Sequence, residues 1–296
     1  QMVKRLESSF YAFKITVNNL RKSTERMIEM FDNDKIFIAP DLGINDLIEK
    51  GLSFEEIELK VLFDGVSNIK SNVFKAEDFV EEFYDKLKKD LDILNEIHNS
   101  WSEIEEDPKL DKFVEAIKDE LFNKDINPTG KLVVFTESKD TAEYLHGKLE
   151  EILDQKILCI SADNRNKQFD IIQENFDANY EPLKQKNNFN IIISTDVLAE
   201  GVNMHRSNII VNYDTPWNAT RLMQRIGRVN RIGSVADCIY NYCFYPSQQG
   251  NDEINLYNNA LIKLQGFHSA FGEDAKIYTH REIIEDVKLH QEGMDE

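Results

Sequence analysis

Cysteine is scarce in this chain: only Cys159, Cys238 and Cys243 occur, without the paired spacing that a metal knuckle needs. Three thiols also make no disulfide framework. All three fall in apolar, strand-like runs, so buried free thiols in a reducing compartment are expected. No run of 18 apolar residues is present, and no secretory leader pattern is seen, so no membrane partner and a cytoplasmic location are expected. Positive charge is also short. Lys and Arg number 35 against 54 Asp and Glu, a formal net charge of −19, which argues against a general electrostatic footprint for nucleic acid.

The shortage is uneven. From Glu77 to Asp125 acids far outnumber bases, whereas the stretch from Arg206 to Arg231 holds five arginines and one acid, Asp214. An averaged charge therefore hides a basic patch. The opening Gln-Met-Val-Lys-Arg-Leu reads as mid-helix, as expected of a piece cut from a longer protein.

Hydrophobic spacing divides the chain. Val3, Leu6, Phe10, Phe13, Val17 and Leu20 recur every three to four residues and predict one long linking helix over residues 1–34. Pro40 marks the break that follows. Residues 35–126 predict an acidic helical subdomain, with Phe74, Phe79, Phe83 and Tyr84 as core and Pro108 opening its last helix. Its acids suit either a solvated face or a docking surface for a basic protein partner. The pattern changes at Pro128-Thr129-Gly130. Short, almost continuously apolar runs at 131–135, 156–160, 189–193, 208–212 and 237–244 alternate with helices near 139–153, 166–176 and 219–226. Strands of that kind predict an α/β fold with a parallel sheet covered by helices on both faces, over residues 127–246. A helical C-terminal extension, with Leu256, Leu261, Leu264 and Phe267 as its stripe, is expected over 247–296.

Ligands of open α/β sheets bind at the carboxyl ends of the strands, and three such ends carry polar residues here. The first ends in Thr136 and Ser138, which suit either phosphate contacts or plain turn and N-cap duty. The third runs into Thr195, Asp196, Gly201 and Asn203. There Gly201 either lets the backbone approach a ligand or caps a helix, and Asn203 offers an amide to a sugar hydroxyl. The fourth leads through Trp217, a residue for base stacking or for packing on its own domain, to Gln224-Arg-Ile-Gly-Arg-Val-Asn-Arg-Ile-Gly233. Arg221 and Arg225 share a helix face, and Gly227 is expected to turn the chain before Arg228 and Arg231. Two planar, permanently charged guanidiniums at that spacing suit a phosphate held by another surface. The competing reading is an ion pair with Asp196 or Asp214. His146 and His205 have no Cys or His at ligand spacing, so no metal site is expected.

Taken together, these segments resemble the second RecA-like domain of a superfamily-two helicase or translocase. Lys131–Leu145 is similar to the motif that opens that domain, Ile193–Met204 to its fifth motif and Gln224–Gly233 to its sixth. The wording from Asp214 to Gly233 resembles the Swi/Snf-type remodeller branch, and within it bacterial ATPases of the RNA-polymerase-recycling kind. Lys4–Phe10 is similar to a helix that those proteins place after their first domain. The resemblance implies that Arg228 and Arg231 approach ATP phosphates across an interdomain cleft and that Gln224 couples nucleotide to closure. It places Gly201 and Asn203 near the ribose, Asp196 in the arginine network, and Thr136, Ser138 and Thr195 on a nucleic-acid backbone.

The departures matter equally. No G-x-x-x-x-G-K-[ST] loop occurs, and no Asp-Glu pair follows an apolar strand to hold Mg²⁺. The resemblance therefore implies a missing N-terminal RecA-like domain acting in cis. ATP and Mg²⁺ would serve the complete enzyme, with neither bound tightly by this fragment, and duplex DNA would be the track. A fragment of an RNA helicase and a non-enzymatic protein scaffold are the alternatives.

Overall fold

The computed structural model describes residues 2–66, 70–214, 216, 219–245 and 247. The chain forms two compact units, one of Lys14–Glu106 and one of residues 1–13 with Asp107 onward. The expected C-terminal extension, and Trp217 with it, lie outside the described residues.

Where one helix is expected at the start, there are two, α1 (Met2–Ser8) and α2 (Phe10–Asp32). Ser9 separates them. Its hydroxyl accepts the Ala12 amide at 3.0 Å, capping α2, and lies 3.0 Å from the Thr141 hydroxyl.

The unit of Lys14–Glu106 is mainly helical, as its spacing suggests. It also holds a ribbon that periodicity does not reveal, in which β1 (Ile36–Ile38) pairs antiparallel with β2 (Asn72–Phe74). Between these strands lie α3 (Ile44–Glu49) and α4 (Phe54–Gly65), and α5 (Glu81–Ser102) follows. Ser53 and Glu56 form a reciprocal capping box that starts α4. Phe79, Phe83, Tyr84 and Leu87 pack on the buried Met30, Phe31, Ile36 and Ile57. Val80, just ahead of α5, is exposed.

In the other unit α6 (Pro108–Ala116) starts with Pro108 in its first turn and the Asp107 carboxylate accepting the Leu110 amide. Five strands follow: β3 (Leu132–Phe135), β4 (Ile157–Ile160), β5 (Ile191–Ser194), β6 (Ile209–Asn212) and β7 (Tyr240–Cys243). Interleaved with them are α7 (Lys139–Ile152), α8 (Arg165–Phe176) and α9 (Ala219–Val229). All strand pairs are parallel, in the order β4-β5-β3-β6-β7. The central strand β3 shows why both faces are apolar. Leu132 and Val134 join Leu110, Phe113, Leu145 and Leu149 on one side. Val133 and Phe135 join Ile172, Phe176, Met204 and Val229 on the other. Successive strand residues point to opposite faces, so a sheet buried twice needs apolar residues at every position. Each such fully buried side chain contributes about 1.5–3 kcal/mol. The sheet carries every strand-end loop of interest at one edge.

One sequence expectation, that of buried thiols, fails at the periphery, where Ile152, the last residue of α7, is 44% exposed. Cys238 is exposed and Cys159 and Cys243 are only half-buried. Cys238 lies just ahead of β7, an edge strand of the sheet.

Candidate functional site

Thr136, just past β3, is fully buried. Its hydroxyl donates to Asp214 Oδ2 at 2.5 Å, and the same oxygen accepts the Glu137 amide at 3.0 Å and the Ser8 hydroxyl at 2.9 Å. Lys109 Nζ lies 3.1 Å from Asp214 Oδ1. Burial pushes the Asp214 carboxyl up, but Lys109, Thr136 and the Glu137 amide together hold it below the usual carboxylate value. Ser138 is buried as well; it caps α7, accepting the Thr141 amide at 3.3 Å, and receives a hydrogen bond from Arg5. Both hydroxyls thus face inward and fix the strand-end loop. Thr195, ahead of the short 3-10 turn Asp196–Leu198, is half-buried and makes no side-chain cap.

Asp196 draws two arginines, Arg221 and Arg225. Arg221 Nη1 lies 2.7 Å from Oδ2, while Arg225 Nη2 and Nε lie 2.6 and 2.8 Å from Oδ1. Arg225 is fully buried. Its Nη1 donates to Asn212 Oδ1 at 3.0 Å, and its guanidinium sits 5.1 Å from the Phe135 ring centre. A buried cation is tolerated only when its charge is matched in this way.

The spacing that pairs Arg221 and Arg225 with Asp196 leaves Arg228 and Arg231 apart. Among the described residues neither has a carboxylate within ion-pair distance. The readings that paired them with Asp196 or Asp214 are thereby excluded for those two carboxylates. Gly227 does not turn the chain: α9 runs through it to Val229, so Arg228 lies on the helix. The Arg228 carbonyl accepts the Met204 amide at 2.8 Å, which ties the arginine helix to the loop after β5. The half-buried Arg228 has an Nε with no hydrogen-bond partner. Burial, then Arg231, lowers the Arg228 pKa, and Glu200 opposes them. Arg231 is exposed, and its Nε donates to the Gly227 carbonyl at 3.0 Å. Two like charges acting on each other, with no carboxylate at ion-pair distance among the described residues, favour an anion between them.

Gly201 has φ +80° and an added Cβ would stand 2.6 Å from Arg165 Nη2. The group it admits is therefore the Arg165 guanidinium, which donates to the Glu200 carbonyl at 2.8 Å. Arg165 opens α8 and escaped the sequence reading, since one arginine in a charged stretch carries no local signal. Asn203 and Gln224 are half-buried, and among the described residues their side-chain amides have no hydrogen-bond partner.

The family model described as the helicase conserved C-terminal domain matches residues 109–233, from α6 through the last of the arginines. Residues 109–233 are thus similar to helicase C-terminal domains. The chain is 28% identical over 173 residues to the uncharacterized ATP-dependent helicase YqhH of Bacillus subtilis, covering 56% of this chain and 28% of that protein. It is 34% identical over 121 residues to the ATP-dependent RNA helicase DDX55 of Xenopus laevis, covering 39% of this chain and 19% of that protein. The chain thus spans less than a third of these curated relatives. Among solved structures, the C-terminal part of the Fun30 ATPase domain is 16% identical, with a TM-score of 0.39, over 60% of this chain and 59% of that one.

Beneath the arginines this unit buries His205 completely, with Nδ1 3.6 Å from Asp177 Oδ1 and, among the described residues, neither ring nitrogen hydrogen-bonded. Burial lowers its pKa below the ordinary 6.5; Asp177 opposes the shift and Arg231 adds to it. A depressed folded pKa means that the contribution is complete above the unfolded value and is lost as pH falls below it. We therefore expect Tm to drop between about pH 7 and pH 5, and His205→Gln to flatten that part of the profile. Equal slopes for both proteins in thermal melts would remove His205 as the cause.

Proposed function

We propose that the chain is the C-terminal half of an ATP-dependent nucleic-acid motor, and that it supplies arginines to phosphates held by an N-terminal RecA-like domain. The observation that carries this reading is the division of labour in α9. Arg221 and Arg225 are matched by Asp196, whereas Arg228, with an unpartnered Nε, and Arg231 meet no carboxylate among the described residues. ATP, once bound by the other domain with Mg²⁺, supplies the transferable phosphoryl group. Arg228 and Arg231 balance its negative charge. In this reading Asn203 and Gln224, whose amides lack partners among the described residues, offer hydrogen bonds to the nucleotide, and Gly201 shapes the loop by admitting Arg165.

The nucleic-acid surface in this proposal is the strand-end edge. Thr195 contacts the backbone, and Thr136 and Ser138 contribute by holding their loop in place. Such contacts set position and carry no sequence information. Duplex DNA is the track favoured by the Swi/Snf-like wording from Asp214 to Gly233. RNA is the second reading, favoured by relatives such as DDX55, whose name is that of an RNA helicase.

Phosphate-release assays test both levels. The 296-residue chain alone should hydrolyse ATP no faster than buffer, because no phosphate loop or Mg²⁺ carboxylate pair is present in it. Joined to its N-terminal domain, it should turn over ATP and respond to nucleic acid. Stimulation by duplex DNA supports the first track and stimulation by RNA the second. No response to either, or DNA-stimulated turnover that stays with the purified chain alone, would overturn the proposal.

A further inference from the structure

Helix α4 is apolar on two opposite sides. Ile57 and Val61 are fully buried in the core of the helical unit. Leu59, Leu62, Phe63 and, just past the helix, Val66 follow i, i+3, i+4, i+7 spacing on the other side, at 69%, 53%, 84% and 88% exposure. One stripe is all that a helix needs to settle on its own core. The second stripe adds nothing to that core and costs solubility. Beside it lies a cavity of about 430 Å³ lined by Leu42, Leu47, Leu59, Lys60, Phe63 and Asp64. The segment that builds this groove, residues 40–66, holds seven acids and two lysines.

We propose that this face docks an amphipathic helix of another protein, with apolar anchors for the groove and Lys or Arg on its flanks. An exposed apolar stripe beside an apolar cavity offers the apolar face of a partner helix a place to lie. Glu49, Glu55 and Glu58 already pair with Arg26 and Lys35, but the acids still exceed the bases around this face, which selects a basic partner and repels an acidic one. They equally disfavour nucleic acid. A second copy of this chain is a poor fit, because the net charge of −19 repels it. Four side chains are also far fewer than the roughly 20–30 residues a side of a stable interface. The surface lies outside the matched segment of residues 109–233 and does not depend on the phosphate chemistry proposed above.

The test is calorimetric titration of the full chain, at physiological salt, with a Leu/Lys amphipathic peptide of about 18 residues, five helical turns. A Leu/Glu peptide of the same pattern is the control. Saturable binding of the Leu/Lys peptide is expected, weakened about tenfold or more by Phe63→Ser or Leu59→Ser as for central interface anchors. Both side chains point outward, so neither change threatens folding. Any of several results overturns the proposal: no binding of the Leu/Lys peptide, equal binding of the Leu/Glu peptide, or undiminished affinity of both serine variants. Two further measurements identify a different occupant and overturn it as well. Self-association of the chain that Phe63→Ser abolishes would mark a second copy. A Phe63→Cys thiol that resists maleimide in the free chain, located by mass spectrometry, would mark the chain itself.

Discussion

Arg231→Ala, in a protein that joins this chain to an ATP-binding domain, should lower kcat by roughly 10³–10⁵, the span of an arginine supplied to a transferring phosphoryl group. Nucleic-acid affinity should stay near that of the parent, because Arg231 acts from the arginine loop and not from the strand-end edge. The loss falls at the lower end if Arg228 shares the charge, and Arg228→Ala in the same background measures that share. Arg231→Lys should rescue little, since a compact ammonium cannot reproduce the planar fork. The geometry explains why this position is sensitive. Among the described residues the Arg231 side chain is held only by a backbone carbonyl, at 3.0 Å from its Nε, which leaves its terminal nitrogens to an incoming anion. Near-parent turnover in both Arg231 variants would leave the arginine with a structural role alone.

Asp196→Ala should cost about 3 kcal/mol of folding stability, the lower end of what removal of one partner from a buried ion pair costs. Arg225 is fully buried and Asp196 is its only carboxylate among the described ion pairs. Without Asp196 the guanidinium keeps Asn212 and the Phe135 face but loses its counterion. Arg221→Ala should cost under about 1 kcal/mol, because that arginine is half exposed and water screens its pair. The double replacement Asp196→Leu with Arg225→Met should recover much of the loss, since it removes both charges together. Urea unfolding of the four proteins decides this. A loss for Asp196→Ala no larger than that for Arg221→Ala would mean that the buried pair does not organise α9. In the longer protein the same variant should also depress turnover, because α9 carries Arg228.

The alternation of apolar runs and helices was enough, by itself, to specify five parallel strands and their helices, since a doubly covered sheet demands apolar residues at each strand position. The arginine-rich segment and Gly201 were legible for a similar reason. A run of cations in an acidic chain and a glycine after a strand are local signals. Tertiary structure decided the rest. The strand order β4-β5-β3-β6-β7 depends on where each crossover returns. Three-residue strands such as β1 and β2 are too short to show a period and exist because each finds the other. Asp214 gathers Ser8, Lys109 and Thr136 from distant parts of the chain, which is why Thr136 turns inward, while Ser138 takes the N-cap role open to it in the sequence. The choice of Arg225 over Arg228 as the partner of Asp196 follows from where α9 lies on the sheet. Residue type and spacing set which groups are available to pair; the packed sheet sets which of them meet, because electrostatic matching inside a protein acts over a few ångströms and takes no account of separation along the chain.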